Sequence, residues 1–160
     1  MSKLSWVLLS VSFCFCACAK KNCDYKDDGV VAPVSEQTAV KHYLDSLGIT
    51  ATLHPRGFYY KINSGGSGGA PGECSQITVT YTGQLINGTI FDQQPASFVT
   101  QLSNLIDGWQ LGVPLIQKGG EISLYIPPSL GYGSQSVNTT NSTIPPYSIL
   151  IFDIHLLDVQ

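Results

Sequence analysis

At 160 residues the chain has the length of one folded unit with a short appendage, and two full cores are excluded. Hydrophobic residues make up 43% and aromatics 10%, enough to bury a core, so wholesale disorder is excluded too. Only 12% of residues are charged and the net charge is −3, which leaves no basic field to gather phosphates and excludes nucleic acid as a partner.

In chain order, the first element is a leader over residues 1–18. Lys3 precedes a 14-residue apolar run from Leu4 to Ala17, followed by Cys18, Ala19 and Lys20-Lys21. A bilayer span needs about 20 residues, so the run fits the apolar core of a secretory signal instead. Phe15-Cys16-Ala17-Cys18 resembles a loose bacterial lipobox, in which cleavage precedes a cysteine that is then acylated; Phe15 departs from the usual Leu. An ordinary secretory signal cut near Ala17 or Ala19 is the alternative. Either exports the chain, and the first makes it an envelope lipoprotein facing the periplasm, anchored in the outer membrane through Cys18.

Residues 19–33 are small and charged, with Asp24-Tyr25-Lys26-Asp27-Asp28 and no apolar period, and read as a tether. Beyond the leader only Cys23 and Cys74 remain; neither has zinc-ligand spacing or a neighbouring His. They either pair, as an exported chain permits, or stay free thiols. No metal site is expected.

Residues 34–72 form an N-terminal extension. Val40, Tyr43, Leu44 and Leu47 fall at helical spacing with Gly48 as a stop, predicting an amphipathic helix of about 12 residues docked on the rest of the chain. Phe58 to Ile62 reads as a strand, and Ser64 to Gly72 as a flexible glycine-rich loop.

From residue 73 to 160, period-two alternation dominates. Ile77-Thr78-Val79-Thr80-Tyr81-Thr82 sets apolar odd positions against three threonines, the pattern of a strand with one buried face. Asn87-Gly88 signals a hairpin, with Thr89 to Asp92 returning. Leu105, Trp109 and Val113 are spaced by four around a short helix closed by Gly112 and Pro114. Ile122, Leu124 and Ile126 alternate until Pro127-Pro128, and Leu150, Phe152, Ile154 and Leu156 share one face of the longest strand. The fold class is therefore α+β, an antiparallel sheet curved around one short helix, with an N-terminal helical extension. His42, His54 and His155 are scattered and read as structural or exposed.

Six motifs then fall in register: Val79-Thr80-Tyr81-Thr82-Gly83, Gly88 through Phe91-Asp92, Ile106-Asp107-Gly108-Trp109, Gly131-Tyr132-Gly133, Ile144-Pro145-Pro146 and Leu150 to Ile154. In order and spacing they resemble the FKBP-type peptidyl-prolyl cis-trans isomerases over residues 73–160. The resemblance implies an FKBP-like fold and rotation of X–Pro bonds in exported proteins, with proline-containing polypeptides as partners and no cofactor. It implies Trp109 as the floor under the proline ring, with Phe152 beside it among the catalytic set. Tyr81, Phe91, Leu105 and Ile106 would form substrate-binding walls, and Ile144 would close one side. Tyr132 would donate its hydroxyl to the substrate carbonyl, the Ile106 N–H would be a second donor, and Asp92 would be the polar group at the pocket edge. In a domain outside this family, the same aromatics would be plain core. Asp107 is read as stabilising the start of the short helix.

The chemistry explains the residue types. Amide rotation must break resonance against a barrier of about 18–20 kcal/mol, and no bond to carbon need break. A water-poor aromatic pocket favours the twisted amide, whose carbonyl is less polar, and donors can hold its oxygen. Ala96 stands where some members carry another pocket aromatic, so that wall is expected open and macrolide ligands weakened. The polar loop Ser134 to Thr143 is unlike the usual turn. The rival reading is a proline-segment-binding chaperone or assembly module with little turnover.

Overall fold

The computed structural model describes residue 23 and residues 25–160. The leader and Cys18 lie outside the described residues. Six strands form one antiparallel sheet: β1 (Thr52–Leu53), β2 (Tyr59–Ser64), β3 (Gln76–Leu85), β4 (Ile90–Gln101), β5 (Glu121–Ile126) and β8 (Leu150–Val159), in the order β1-β2-β5-β8-β3-β4. A separate two-stranded hairpin joins β6 (Val137–Asn138) to β7 (Thr143–Ile144). Helix α1 spans Val34–Ser46 and helix α2 Asp107–Gly112.

The alternating residues behave as the period predicts. Ile77 and Val79 of β3, Ile122 and Leu124 of β5, and Leu150, Phe152, Ile154 and Leu156 of β8 are all buried on the inner face. Helix α2 crosses that face against β5. A Cβ on Gly108 would come within 2.5 Å of Ile126, and one on Gly112 within 2.6 Å of Leu124, so these two positions let the helix backbone lie directly on the strand. That approach buries Trp109, which is 4% exposed.

The outer face is covered at one end by α1. Its Val40 and Leu44 pack on Tyr59, Tyr125 and Ile151, a docked stripe as the spacing predicts, although Leu47 is exposed. Glu36 Oε2 accepts from the Ser129 N–H at 3.0 Å and from its hydroxyl at 2.8 Å, which pins the helix to the turn after β5.

Three regions differ from the sequence reading. The sheet does not break at residue 72, because β2 of the extension pairs with β5 from Tyr59↔Tyr125 to Ser64↔Glu121. The glycine-rich loop is held near its start, where the Gln117 N–H donates to Gly65 O and the Ser67 N–H to Lys118 O, each at 2.9 Å. The expected tether is docked over its described part. Cys23 and Cys74 form a disulfide with a Cα–Cα distance of 5.7 Å, Arg56 pairs with Asp27 and Asp28 and donates to Val30 O, and Ala32 is buried in the core. Nothing in the composition of 19–33 signals this, because the holding groups, Arg56 and Cys74, lie far along the chain.

Candidate active site

The site is built where β3, β4 and β8 meet α2. Inward parity puts Tyr81 on β3 and Phe152 on β8 against Trp109, and the three rings meet edge to face or tilted. Tyr81–Trp109 and Trp109–Phe152 centroids are each 5.2 Å apart at 86° and 82°, and Tyr81–Phe152 is 6.2 Å at 59°. Such edge-to-face packing is the favoured aromatic geometry and fixes each ring by its neighbours. Gly83, two residues beyond Tyr81, leaves room for this: a Cβ there would sit 2.8 Å from both Phe152 and Phe91.

The rings open into a cavity of about 300 Å³ lined by Tyr81, Asp92, Phe98, Asn104, Leu105, Ile106, Trp109, Tyr132 and Phe152. Of the residues singled out from the sequence, seven are thus brought together: Tyr81, Asp92, Leu105, Ile106, Trp109, Tyr132 and Phe152. Phe91 and Ile144 do not line it. Phe91, 1% exposed, packs behind Phe152 with centroids 5.5 Å apart, and Ile144, 0% exposed, lies in the core at the base of the β6–β7 hairpin. Phe91 thus supports the wall from behind, and Ile144 belongs to the core rather than to the cavity.

The wall expected open at Ala96 is closed by Phe98. Tyr81 pairs with Gln94 and Val79 with Phe98, so one residue of β3, Thr80, stands against three of β4, Pro95, Ala96 and Ser97. A ladder without that bulge would put Ala96 opposite Val79; the bulge leaves Ala96 exposed and carries Phe98 inward, 6.0 Å from Tyr81 at 70°. Bulges re-aim side chains at sheet edges in this way. Pro95 was the one sequence signal for it, since proline cannot donate to a ladder. Asn104 was also missed, because an exposed asparagine before Leu105 carries no periodic signal.

The polar groups are few. Tyr81 Oη donates to Asp92 Oδ2 at 2.7 Å. Burial, then the hydrogen bond to Asp92, raises the Tyr81 phenol's pKa. The Tyr132 phenol is raised as well, by burial first and the Asp92 charge second. Both therefore stay protonated donors at neutral pH. Tyr132 is carried on a cinched turn in which the Gly131 and Gly133 N–H groups both donate to Pro128 O at 2.9 Å and the Tyr147 N–H donates to Gly133 O at 2.8 Å. Asp107 lies on α2 outside the cavity; burial, then Asp28, raises its carboxyl pKa against the pull of Arg56.

A hollow of similar size, about 310 Å³, lies on the opposite sheet face among Asn63, Thr80, Thr82, Glu121, Asp153 and His155. Tyr81, Gln94, Pro95 and Ile154 complete its lining, which includes the side chains of Glu121, Asp153 and His155 and neither Trp109 nor Phe152. Among the described residues no group of three His, Cys, Asp or Glu side chains is arranged to hold a metal ion.

The family model of the FKBP-type peptidyl-prolyl cis-trans isomerases matches residues 68–157. The FKBP-type peptidyl-prolyl cis-trans isomerase FkpA of Buchnera aphidicola is 42% identical over 125 residues, 76% of this chain and 47% of the relative. The outer membrane protein MIP of Legionella longbeachae is 40% identical over 111 residues, 66% of this chain and 46% of that protein. Among solved structures, FkpA from Escherichia coli superposes with a TM-score of 0.69 at 34% identity, covering 79% of this chain and 60% of that one. The chain spans about half the length of the curated relatives it matches.

Proposed function

The chain belongs to the FKBP-type peptidyl-prolyl cis-trans isomerases, and from that premise we propose that it accelerates X–Pro rotation in exported polypeptides, using the cavity over Trp109. The observation that carries this reading is an open aromatic cavity whose floor and walls, Trp109, Phe152 and Tyr81, brace one another edge to face while Asp92 and Tyr132 reach its lining.

Catalysis here is differential binding. The planar amide is stabilised by resonance and by water at its polarised carbonyl; the twisted amide has lost most of both. Seating the proline ring on Trp109 strips water from the planar form, and the cost falls as the bond turns. The protonated Tyr132 hydroxyl and the Ile106 N–H hold the acyl oxygen still while the nitrogen side rotates. No nucleophile or shifted base is required, and Asp92 serves by orienting Tyr81.

The substrate class is proline-containing segments of exported proteins. An envelope location is supported by the names of relatives such as the Legionella outer membrane protein, and acylation at Cys18 would supply a membrane anchor. Macrolide ligands would find the wall filled by Phe98 rather than open at Ala96.

The test is a protease-coupled assay with short X–Pro peptides. The parent is expected to accelerate exchange, and Trp109→Ala to lose most of that acceleration. Proline-peptide binding without acceleration would overturn the enzyme in favour of the binding module.

A further inference from the structure

The cavity's backbone donor has a support that neither the motifs nor the family match points to. Leu105 and Ile106 lie in the short link between the 3₁₀ turn Leu102–Asn104 and α2, and both line the cavity. Gln110 sits one residue beyond Trp109 on α2, and its side chain turns the other way, into the cleft beside Tyr25 and Asp107. From there Gln110 Nε2 donates to Leu105 O at 2.5 Å and, more weakly, to Ser103 O at 3.4 Å. Its own backbone N–H donates to Ile106 O at 3.2 Å. One residue thus holds three carbonyls of the segment that enters the site.

The Leu105 carbonyl and the Ile106 N–H belong to the same peptide unit. That unit is planar and trans, so its C=O and N–H point in opposite directions. With the carbonyl fixed on Gln110, outside the cavity, the N–H is turned toward the cavity. It has no acceptor among the described residues. A hydrogen bond to the carbonyl end also polarises the N–H end of the same unit.

We infer that Gln110 is a positioning residue of the isomerase site: its side-chain amide, bonded to Leu105 O, aims and polarises the Ile106 N–H for the substrate's acyl oxygen. The inference rests on the reading of the cavity as the isomerase site. A leucine or methionine at this position would fill the cleft equally well and leave the peptide unit free to turn.

The experiment uses the folded protein and two substitutions, with activity and the backbone amide spectrum read side by side. Gln110→Met keeps the length and removes the donor; kcat/KM for X–Pro peptides is expected to fall about threefold to tenfold, the worth of one lost hydrogen bond. The Ile106 amide resonance moves with it. Gln110→Lys restores a donor that reaches the same carbonyls and is expected to recover most of the activity and return the Ile106 resonance toward its parent position. Unchanged kcat/KM in Gln110→Met overturns the inference, whether or not the resonance moves. So does a loss in both variants that follows their thermal midpoints while the Ile106 resonance stays put. A parent without isomerase activity overturns the reading of the site instead, and the Ile106 resonance in Gln110→Met then decides by itself whether Gln110 aims that peptide unit.

Discussion

Tyr81 Oη donates to Asp92 Oδ2 at 2.7 Å, joining neighbouring strands inside the aromatic cavity. The bond fixes the Tyr81 ring, and through its 86° contact it fixes one side of Trp109. Both partners line the cavity, so the bond is part of the surface a proline would meet in the proposed site.

Tyr81→Phe keeps the ring and deletes the bond, and is expected to lower kcat/KM about fivefold, corresponding to roughly 1 kcal/mol. Asp92→Asn retains an oxygen acceptor and is expected to lose less than Asp92→Leu. Because the two residues act through one bond, the double variant Tyr81→Phe/Asp92→Leu should lose little more than Asp92→Leu alone. Protease-coupled kinetics on the parent and the four variants checks this; losses that multiply would show two independent roles.

The phenol of Tyr132 has its pKa raised by burial, with the Asp92 charge adding to it. A raised pKa keeps the donor form populated beyond the range in which a free tyrosine begins to ionise. The expected kcat/KM is therefore flat from about pH 6 to about pH 9. Tyr132→Phe should lower it by one constant factor across that range. A basic limb that disappears in Tyr132→Phe would count against the burial argument.

Most of the site was legible because it lies on regular strands. Parity alone turns Tyr81 and Phe152 inward, and four-residue spacing puts Trp109 on the buried side of a helix whose glycines seat it on β5; that these rings line a pocket rather than fill a core came from the resemblance of the motifs to the family. What escaped depends on irregularity or on partners distant in sequence. Phe98 enters through a bulge, and the edge strand β4 runs to Gln101 through Gln93, Gln94 and Pro95, a stretch with no apolar alternation to announce it. The docking of residues 25–33 depends on Arg56, and the three carbonyls gathered by Gln110 are a matter of side-chain direction rather than of pattern.

The β6–β7 hairpin is fastened by Thr139. Its Oγ1 lies 2.6 Å from Phe91 O and 2.7 Å from Ser142 O, sharing one proton between them, and accepts from the Ser142 N–H at 3.1 Å. Phe91 backs Phe152, so the hairpin is tied to the layer behind the cavity. Thr139→Val is expected to cost about 1 kcal/mol of stability, and Thr139→Ser to keep most of it. Urea unfolding of the three proteins measures the difference, and a loss in Thr139→Ser with none in Thr139→Val would assign the effect to the methyl group instead.

Asp107 stands at the start of α2, where a negative charge is ordinarily favourable. Here burial and the nearby Asp28 and Asp27 outweigh Arg56 and raise its pKa. A carboxyl whose folded pKa is raised stabilises the fold in its protonated form; that contribution is complete below the unfolded pKa, near 3.8, and is lost as pH rises through the folded value. Asp107→Asn should therefore raise the thermal midpoint relative to the parent at neutral pH, and the gain should shrink as the pH is lowered. A midpoint that falls at neutral pH would show the helix terminus, rather than the acidic neighbours, to be decisive.

The Cys23–Cys74 disulfide closes a separation of 51 residues. For a loop of that size the chain-entropy argument gives about 4 kcal/mol, while native disulfides commonly contribute about 2–4 kcal/mol. The joined segment has other holds, the Arg56 pairs with Asp27 and Asp28 and the buried Ala32, so the fold should survive without the link. Neither cysteine lines the cavity. Cys23→Ser/Cys74→Ser is expected to lower the unfolding free energy by about 2–4 kcal/mol and to leave kcat/KM near the parent value. Denaturant unfolding and the coupled assay on the same preparation check both halves. Alkylation of the protein freed of its leader, at Cys23 and Cys74, should add mass only after reduction; labelling of both thiols without reductant, together with an unchanged unfolding midpoint in the double variant, would remove the disulfide from the account.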